Sequence, residues 1–372
     1  GRAITGIVLL SELFMRITQM MKERTLRVLE FTKIRDRLAS KAMTDMGRER
    51  CEALVPSSNI TEIQRMQAET EEATVILQYV GASPLVPFSD VRASLTLAEK
   101  GATLSPKALL EVAALMQSAR AARKALDTER DNTPILKELA QRLSTLHNVE
   151  QDITNAIISE DEIADRASNE LMDIRRHLRG ANERIKEKLN QMIRSSAFQK
   201  YLQDPIVTMR NDRYCLPVKA EYRGSVPGLV HDQSSTGATL FIEPMAAVEM
   251  GNELKTWAAK EKQEIERILA ALSAEIAPYA DQLRETVETL AELDYIFAKG
   301  MLSREMNAVS PKLNRNGYIN IIRGRHPLID REKVVPSNLW MGKDFTSLII
   351  TGPNTGGKTV TLKTVGLLTL MA

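Results

Sequence analysis

The chain has 372 residues, with 50 Lys+Arg against 48 Asp+Glu and a formal charge of +2. Hydrophobic residues make up 43% and charged residues 26%, which excludes bulk disorder, and the near-neutral balance gives no vote for a polyanionic partner. Two cysteines and four scattered histidines exclude a disulfide framework and a zinc–cysteine cluster. No stretch reaches the ~20 apolar residues of a membrane span.

Residues 1–20 read as upstream sequence. Their apolar run, Ile7 to Leu10, is broken by Glu12, and Met21 opens a different, charged texture, so Met21 is the expected natural start. Residues 21–203 predict a helical core and an outgoing lever arm. Leu26, Phe31, Ile34 and Leu38 begin the helical pattern, and Ser57 to Tyr79 is a second helical stretch. Ser105-Pro106 marks a helix start, because the hydroxyl caps free N–H groups and the fixed proline φ suits a first turn. The Ala- and Leu-rich segment Lys107 to Leu126 follows. Between Ala164 and Ile193, Leu171, Leu178, Ile185 and Met192 recur every seven residues. Ala167, Ile174 and Ala181 take the second heptad slot and Lys188 breaks it, which predicts a coiled-coil-like seam on a long helix.

Residues 204–245 change texture. Pro205, Pro217, Gly224, Pro227, Gly228, Gly237 and Pro244 interrupt any helix. Between them Ile206-Val207, Cys215 to Val218, Leu229-Val230 and Thr239 to Ile242 predict a small antiparallel β module. Helix returns over 246–310, with Leu254, Ala258, Ile265, Ile268 and Leu272 in heptad spacing and Glu261 as a polar slot. Leu283, Val287, Leu290, Leu293 and Phe297 continue past Pro278. A long helix out, a β module and a long helix back predict an antiparallel two-helix lever with a β clamp at its tip; one compact bundle is the alternative. Over 311–372, Tyr318 to Ile322 alternates like a strand, and Leu348 to Ile350 reads as a strand buried on both faces. The fold class expected is therefore mainly α, ending in the start of an α/β domain.

Directly after that apolar run stand Gly352, Pro353, Asn354, Thr355, Gly356, Gly357, Lys358 and Thr359, a full GxxxxGK[ST] match followed by a helix-like run. Glycines let successive N–H groups turn inward on phosphate, and the helix adds its positive N-terminal end. Lys358 is placed to reach the β- and γ-phosphates of ATP, and the Thr359 hydroxyl to ligate Mg²⁺. Hydrolysis also needs a carboxylate from a later strand. No Asp or Glu follows Asp344, so the chain is expected to hold nucleotide weakly, without hydrolysing it, and no catalytic residue is assigned.

The run Gly-Pro-Asn-Thr-Gly-Gly-Lys-Thr resembles the ATPase of the MutS family, within the ABC-type P-loop class. Gly324-Arg325-His326-Pro327-Leu328 is similar to the motif that opens that domain. Arg213 to Lys219 and Gly228 to Pro244 resemble the branch formed by the second bacterial MutS paralogue, and Thr25 to Phe31 is similar to its N-terminus. The resemblance covers residues 21–372 and implies a helical core and lever, a clamp and an ATPase head cut just after the P-loop. It leaves no room for the mismatch-reading domain. It implies a cytoplasmic protein, a homodimer through completed heads, and action on branched DNA or on collided ribosomes. In complete members it also implies a nuclease domain.

In the clamp the charges between Lys200 and Glu243 cancel, five basic against five acidic. Arg210, Arg213, Lys219 and Arg223 are nonetheless the candidates to touch phosphates of DNA or ribosomal RNA. Val334, Pro336 and Asn338 lie where the resemblance to the MutS family implies residues that flank an adenine ring. Two other readings stand beside this one: a non-catalytic helical scaffold for DNA or rRNA, and a chromosome-organising coiled-coil ABC ATPase. Chain order disfavours the latter, since its P-loop precedes the coiled coil.

Overall fold

The computed structural model describes residues 23–127, 132–351 and 357–372. The expectations for residues 1–20 and for Gly352–Gly356 lie outside them. In chain order the main elements are α1 (Phe31–Ala39), α2 (Asp45–Glu52), α3 (Ile60–Val80), α4 (Arg92–Glu99), α5 (Pro106–Leu126), α6 (Pro134–Gln141) and α7 (His147–Ala156). A small hairpin, β1 (Ile157–Ser159) and β2 (Glu162–Ile163), precedes the long helix α8 (Asn169–Arg194). Strands β3 (Thr208–Arg210), β4 (Arg213–Lys219), β5 (Gly228–Gln233) and β6 (Thr239–Pro244) follow. Then come α9 (Met245–Ile276), α10 (Ala280–Met306), β7 (Ile319–Gly324), β8 (Ser337–Met341) and α11 (Lys358–Met371). The fold is mainly α. No helix among the described residues is long and apolar enough to cross a membrane.

The chain divides into two compact units. The first takes residues up to Arg92, Ala114–His147 and Asp281–Ala372. Its central element is α10. Leu283, Val287, Leu290, Leu293 and Phe297 stand at helical spacing and are all fully buried, as their pattern predicts. At the C-terminal end of α10, Ala298 and Leu302 join Phe31, Ile34 and Leu38 of α1 and Leu367 of α11 in one apolar cluster.

A buried carboxylate on α10 organises the start of α2. Asp294 accepts the backbone N–H of Thr44 (2.9 Å) and of Met43 (3.0 Å), and the Thr44 hydroxyl (2.7 Å). The Thr44 oxygen in turn accepts the Gly47 N–H (3.0 Å), capping the helix. Gly47 is required by space: a Cβ there would lie 2.1 Å from Asp294 Oδ2. Asp294→Ala strands these buried donors, so it is expected to cost about 2–4 kcal/mol. Gly47→Ala should destabilise in the same direction. Denaturant unfolding of each variant checks both, and wild-type midpoints would contradict the arrangement.

The second unit takes residues Ala93–Ala113 and Asn148–Ala280. Its long helices α8 and α9 run antiparallel, as three cross-links at rising numbers on one and falling numbers on the other show. Ser168 donates to Glu264 (2.6 Å), Arg175 to Glu261 (2.7 Å) and Arg184 to Glu253 (2.9 Å). His177 and Trp257 stack face to face within the same series, with ring centroids 4.3 Å apart. The predicted polar slot at Glu261 is thus the Arg175 ion pair.

The seam departs from the predicted heptads in three places. Residues 165–167 form a 3₁₀ turn, and α8 begins at Asn169 under a Ser168 cap, because that hydroxyl accepts the Leu171 N–H. Beyond Ile185 the buried residue is Leu189 rather than the slot held by Lys188. A straight helix drifts about 20° per heptad, so the fourth repeat slides one residue along. Ala258 on α9 is exposed.

A four-stranded antiparallel sheet, order β3-β4-β6-β5, lies between α8 and α9 in the chain. Leu216 pairs with Ile242 and Val218 with Leu240. Tyr214, Leu216, Val218 and Ile242 line one face and pack on Ile185 and Leu189 of α8 and Ala247 of α9. The predicted strand at Ile206-Val207 instead begins at Thr208, after the Pro205 break.

The predicted strand at Leu348 to Ile350 does not form. Leu348 is 44% and Ile349 84% exposed. A strand buried on both faces needs neighbouring strands in its sheet and a packed layer on each face, whereas among the described residues β7 and β8 pair only with each other.

Candidate functional site

The helix end that carries Lys358 and Thr359 is set by Gly357, which has φ +81°. That left-handed turn suits glycine, and a Cβ there would meet nothing within 4 Å, so the constraint is conformational. The Gly357 carbonyl accepts the Thr361 N–H (2.9 Å) and its hydroxyl (3.1 Å), closing the first turn of α11. Lys358 is half-buried and Thr359 exposed. A 14-residue helix opening on a lysine and a hydroxyl is a donor set that fits a nucleotide phosphate with Mg²⁺.

α11 is seated on the first unit's core. Leu367 is fully buried there, and Lys363 Nζ lies 2.8 Å from Glu30 Oε2. Nearby His326, 5% exposed, accepts the Leu328 N–H on Nδ1 (3.3 Å). Burial pushes its pKa down from 6.5, with Lys363 adding to the depression and Glu30 opposing it. The unfolded chain then takes the proton more readily than the folded one. Stability from this group is present above about pH 6.5 and is lost as pH falls below it. Melting temperatures measured from pH 7.5 to 5.0 should fall more steeply for the wild type than for His326→Asn.

The adenine-flanking expectation finds Val334 half-buried and Pro336 exposed. Asn338 is engaged elsewhere, since its Oδ1 accepts the Arg323 N–H (2.7 Å) and locks β7 to β8.

The four clamp cations do not gather on one surface. Arg213 is 6% exposed, with its Nε 2.9 Å from Glu243 Oε2 and its Nη2 3.0 Å from Asn252 Oδ1. Glu243 is fully buried, and His231 Nε2 is 2.8 Å from its Oε2. Gly251 of α9 closes over this cluster, since a Cβ there would lie 2.6 Å from Glu243 Oε1. The expectation that Arg213 touches phosphate is therefore corrected: its guanidinium is enclosed, and it joins the sheet to α9. Arg210 is half-exposed, lies over the Phe241 ring (4.1 Å) and pairs with Asp232 (3.1 Å). Arg223 is exposed and donates to the Val226 and Gly228 carbonyls. Lys219 is half-buried at the far end of β4, six residues and about 20 Å from Arg213. Of the four, Arg213 alone is buried; Arg210, Lys219 and Arg223 keep part of their surface in solvent.

Curated proteins resemble this chain along nearly its whole length. The chain is 51% identical over 354 residues to the protein named endonuclease MutS2 of Alkaliphilus oremlandii, covering 95% of this chain. It is 49% identical over 356 residues to the one of Acetivibrio thermocellus, and 47% over 355 residues to that of a Geobacillus species. This chain is a homologue of the MutS2 proteins. It spans 45% of the length of these MutS2 relatives. No protein-family model matches it.

The MutS2 resemblance was readable in the motifs, but two groups were not. The Arg213–Glu243–His231 cluster lies inside motifs singled out above, yet a charge count treats a buried pair and a solvated pair alike. Glu30 and Lys363 stand 333 residues apart, so no spacing rule could join them.

Proposed function

We propose that this chain is the nucleotide-binding core of a MutS-family protein whose action on nucleic acid depends on ATP. One observation carries the reading: the Gly-Pro-Asn-Thr-Gly-Gly-Lys-Thr run passes into a 14-residue helix whose first turn offers Lys358 and Thr359. In this reading Gly352 and Pro353 shape the turn, and backbone N–H groups of Asn354, Thr355, Gly356 and Gly357 hold phosphate. Lys358 neutralises the outer phosphates and Thr359 holds Mg²⁺. ATP with Mg²⁺, when bound, supplies a high-energy phosphoanhydride and a divalent charge; the chain's own part is to bind and orient them.

Residues 311–372 are then the start of an ABC-type head, 246–310 and 21–203 the core and lever, and 204–245 the clamp. Arg210, Lys219 and Arg223 meet the phosphate backbone of branched DNA or ribosomal RNA. The complete protein is a cytoplasmic homodimer that joins through its heads. Nuclease activity is assigned to the whole protein and to no residue here.

Titration with a fluorescent ATP analogue, followed by binding to a four-way DNA junction and to ribosomes at two salt concentrations, tests the proposal. Saturable nucleotide binding lost in Lys358→Ala is expected. Lys219→Ala should weaken the true partner and lower the salt slope by about one. Nucleotide binding equal in wild type and Lys358→Ala overturns the assignment. Indifference of both polyanions to Lys219 overturns the clamp's role.

A further inference from the structure

α11 is held by the turn that begins α1, and it is held twice. Lys363, in the second turn after Lys358, pairs with Glu30 at 2.8 Å. Gly366 presses on Leu29: a Cβ there would lie 2.8 Å from Leu29 Cδ2. Glu30 is the residue preceding α1 and has a left-handed backbone, φ 60°. That conformation costs a residue with a Cβ about 1 kcal/mol, so it persists where surrounding contacts fix it. The carboxylate also takes the Lys33 ammonium, and hydrogen bonds from Lys33 and Lys363 hold its pKa at about 2. One turn along α11, Leu367 enters the cluster of Phe31, Ile34 and Leu38. From α1 the linkage continues: Arg37 Nη1 donates to the Pro327 carbonyl (2.8 Å) and its Nε to Glu305 of α10 (2.9 Å). All these groups belong to one compact unit.

We infer that Glu30 is a positioning residue for the nucleotide site: by gripping Lys363 it fixes the helix that presents Lys358 and Thr359, and it makes α1 sense whether that site is filled. The inference rests on the nucleotide reading above. Glu30 meets α11 at Lys363, more than a turn beyond Lys358 and Thr359, so it acts through the helix. Thermodynamic reciprocity then applies: if nucleotide favours one seating of α11 on α1, loosening that seating must weaken nucleotide.

The test compares wild type with Glu30→Gln, Lys363→Glu and the exchange Glu30→Lys/Lys363→Glu. Glu30→Gln keeps the shape and removes the charge, so the apo protein should stay folded with a somewhat lower melting temperature. The dissociation constant for the fluorescent ATP analogue should rise about fivefold or more in Glu30→Gln and Lys363→Glu. The exchange variant should recover part of the affinity lost in Lys363→Glu, since Lys33 then faces a cation at position 30. Hydrogen exchange at amides 31–39 should slow on adding the analogue to wild type, and not in Glu30→Gln. Unchanged affinity and unchanged protection in the single variants overturn the inference while leaving the nucleotide reading intact. A wild type that binds no analogue overturns that reading, and the inference with it.

Discussion

Glu243→Ala should unfold the sheet module at far lower denaturant than wild type, with a loss of about 3–5 kcal/mol. The replaced carboxylate is fully buried and is the ion-pair partner of the Arg213 guanidinium, itself 6% exposed. Removing it leaves a cation enclosed without compensation, and it also deprives His231 of its 2.8 Å contact. Arg213→Ala should fall in the same range, because it strands the carboxylate instead. Replacing both by apolar residues of similar volume should recover much of the loss, since each desolvation cost disappears with its charge. Urea unfolding followed by tyrosine and far-ultraviolet signals reads all three. Single variants within about 1 kcal/mol of wild type would mean the cluster is solvated, contrary to its geometry. The same experiment separates two explanations for weakened nucleic-acid binding. On the proposed function, Arg213→Ala should weaken it together with the fold, and Lys219→Ala with the fold intact.

The second large effect concerns the start of α11. Lys358→Ala is expected to weaken the fluorescent ATP analogue by about 2–3 kcal/mol, or roughly 30- to 150-fold, the value of a charge-assisted contact to phosphate. Gly357→Ala should weaken it by a different route. With φ +81° and open space around the Cβ position, alanine meets no clash but must adopt a left-handed backbone. That costs about 1–2 kcal/mol and re-aims the first turn. Isothermal titration of both variants separates loss of charge from loss of geometry: added salt should narrow the Lys358 difference and leave the Gly357 difference largely unchanged.

The helices were legible because burial leaves a rhythm. Leu283 to Phe297 lie at helical spacing and all five are fully buried. The seam of α8 was legible from Leu171 to Ile185 and then slipped to Leu189, because pattern reading assumes a repeat of seven while the backbone turns at its own period. The β module was legible from its proline and glycine breaks. Its first strand moved two residues to Thr208, since the sequence marks a break more sharply than the point where pairing starts. Leu348 to Ile350 misled for a physical reason: three consecutive apolar residues reveal a wish for burial, and burial on two faces requires neighbouring strands that apolarity does not encode. The clamp cations failed differently. A formal charge of zero over residues 200–243 hides one carboxylate–guanidinium pair taken fully out of water and several left in it. The nucleotide motif was legible letter by letter, whereas its anchorage through Glu30 arises only when two ends of the chain meet.

The three polar cross-links between α8 and α9 have a mechanical consequence. Two helices joined by heptad apolar contacts alone can slide by seven residues and bury nearly the same surface. Here such a step would set Arg175 opposite Leu254 or Ile268 and Ser168 opposite Trp257 or Ala271. It would set Arg184 opposite Ala246 or Lys260. Every step forfeits the carboxylates now supplied by Glu253, Glu261 and Glu264, and breaks the His177–Trp257 stack. The pair therefore behaves as a keyed shaft with one register: a pull on one helix is delivered along its partner as displacement instead of being lost to slippage.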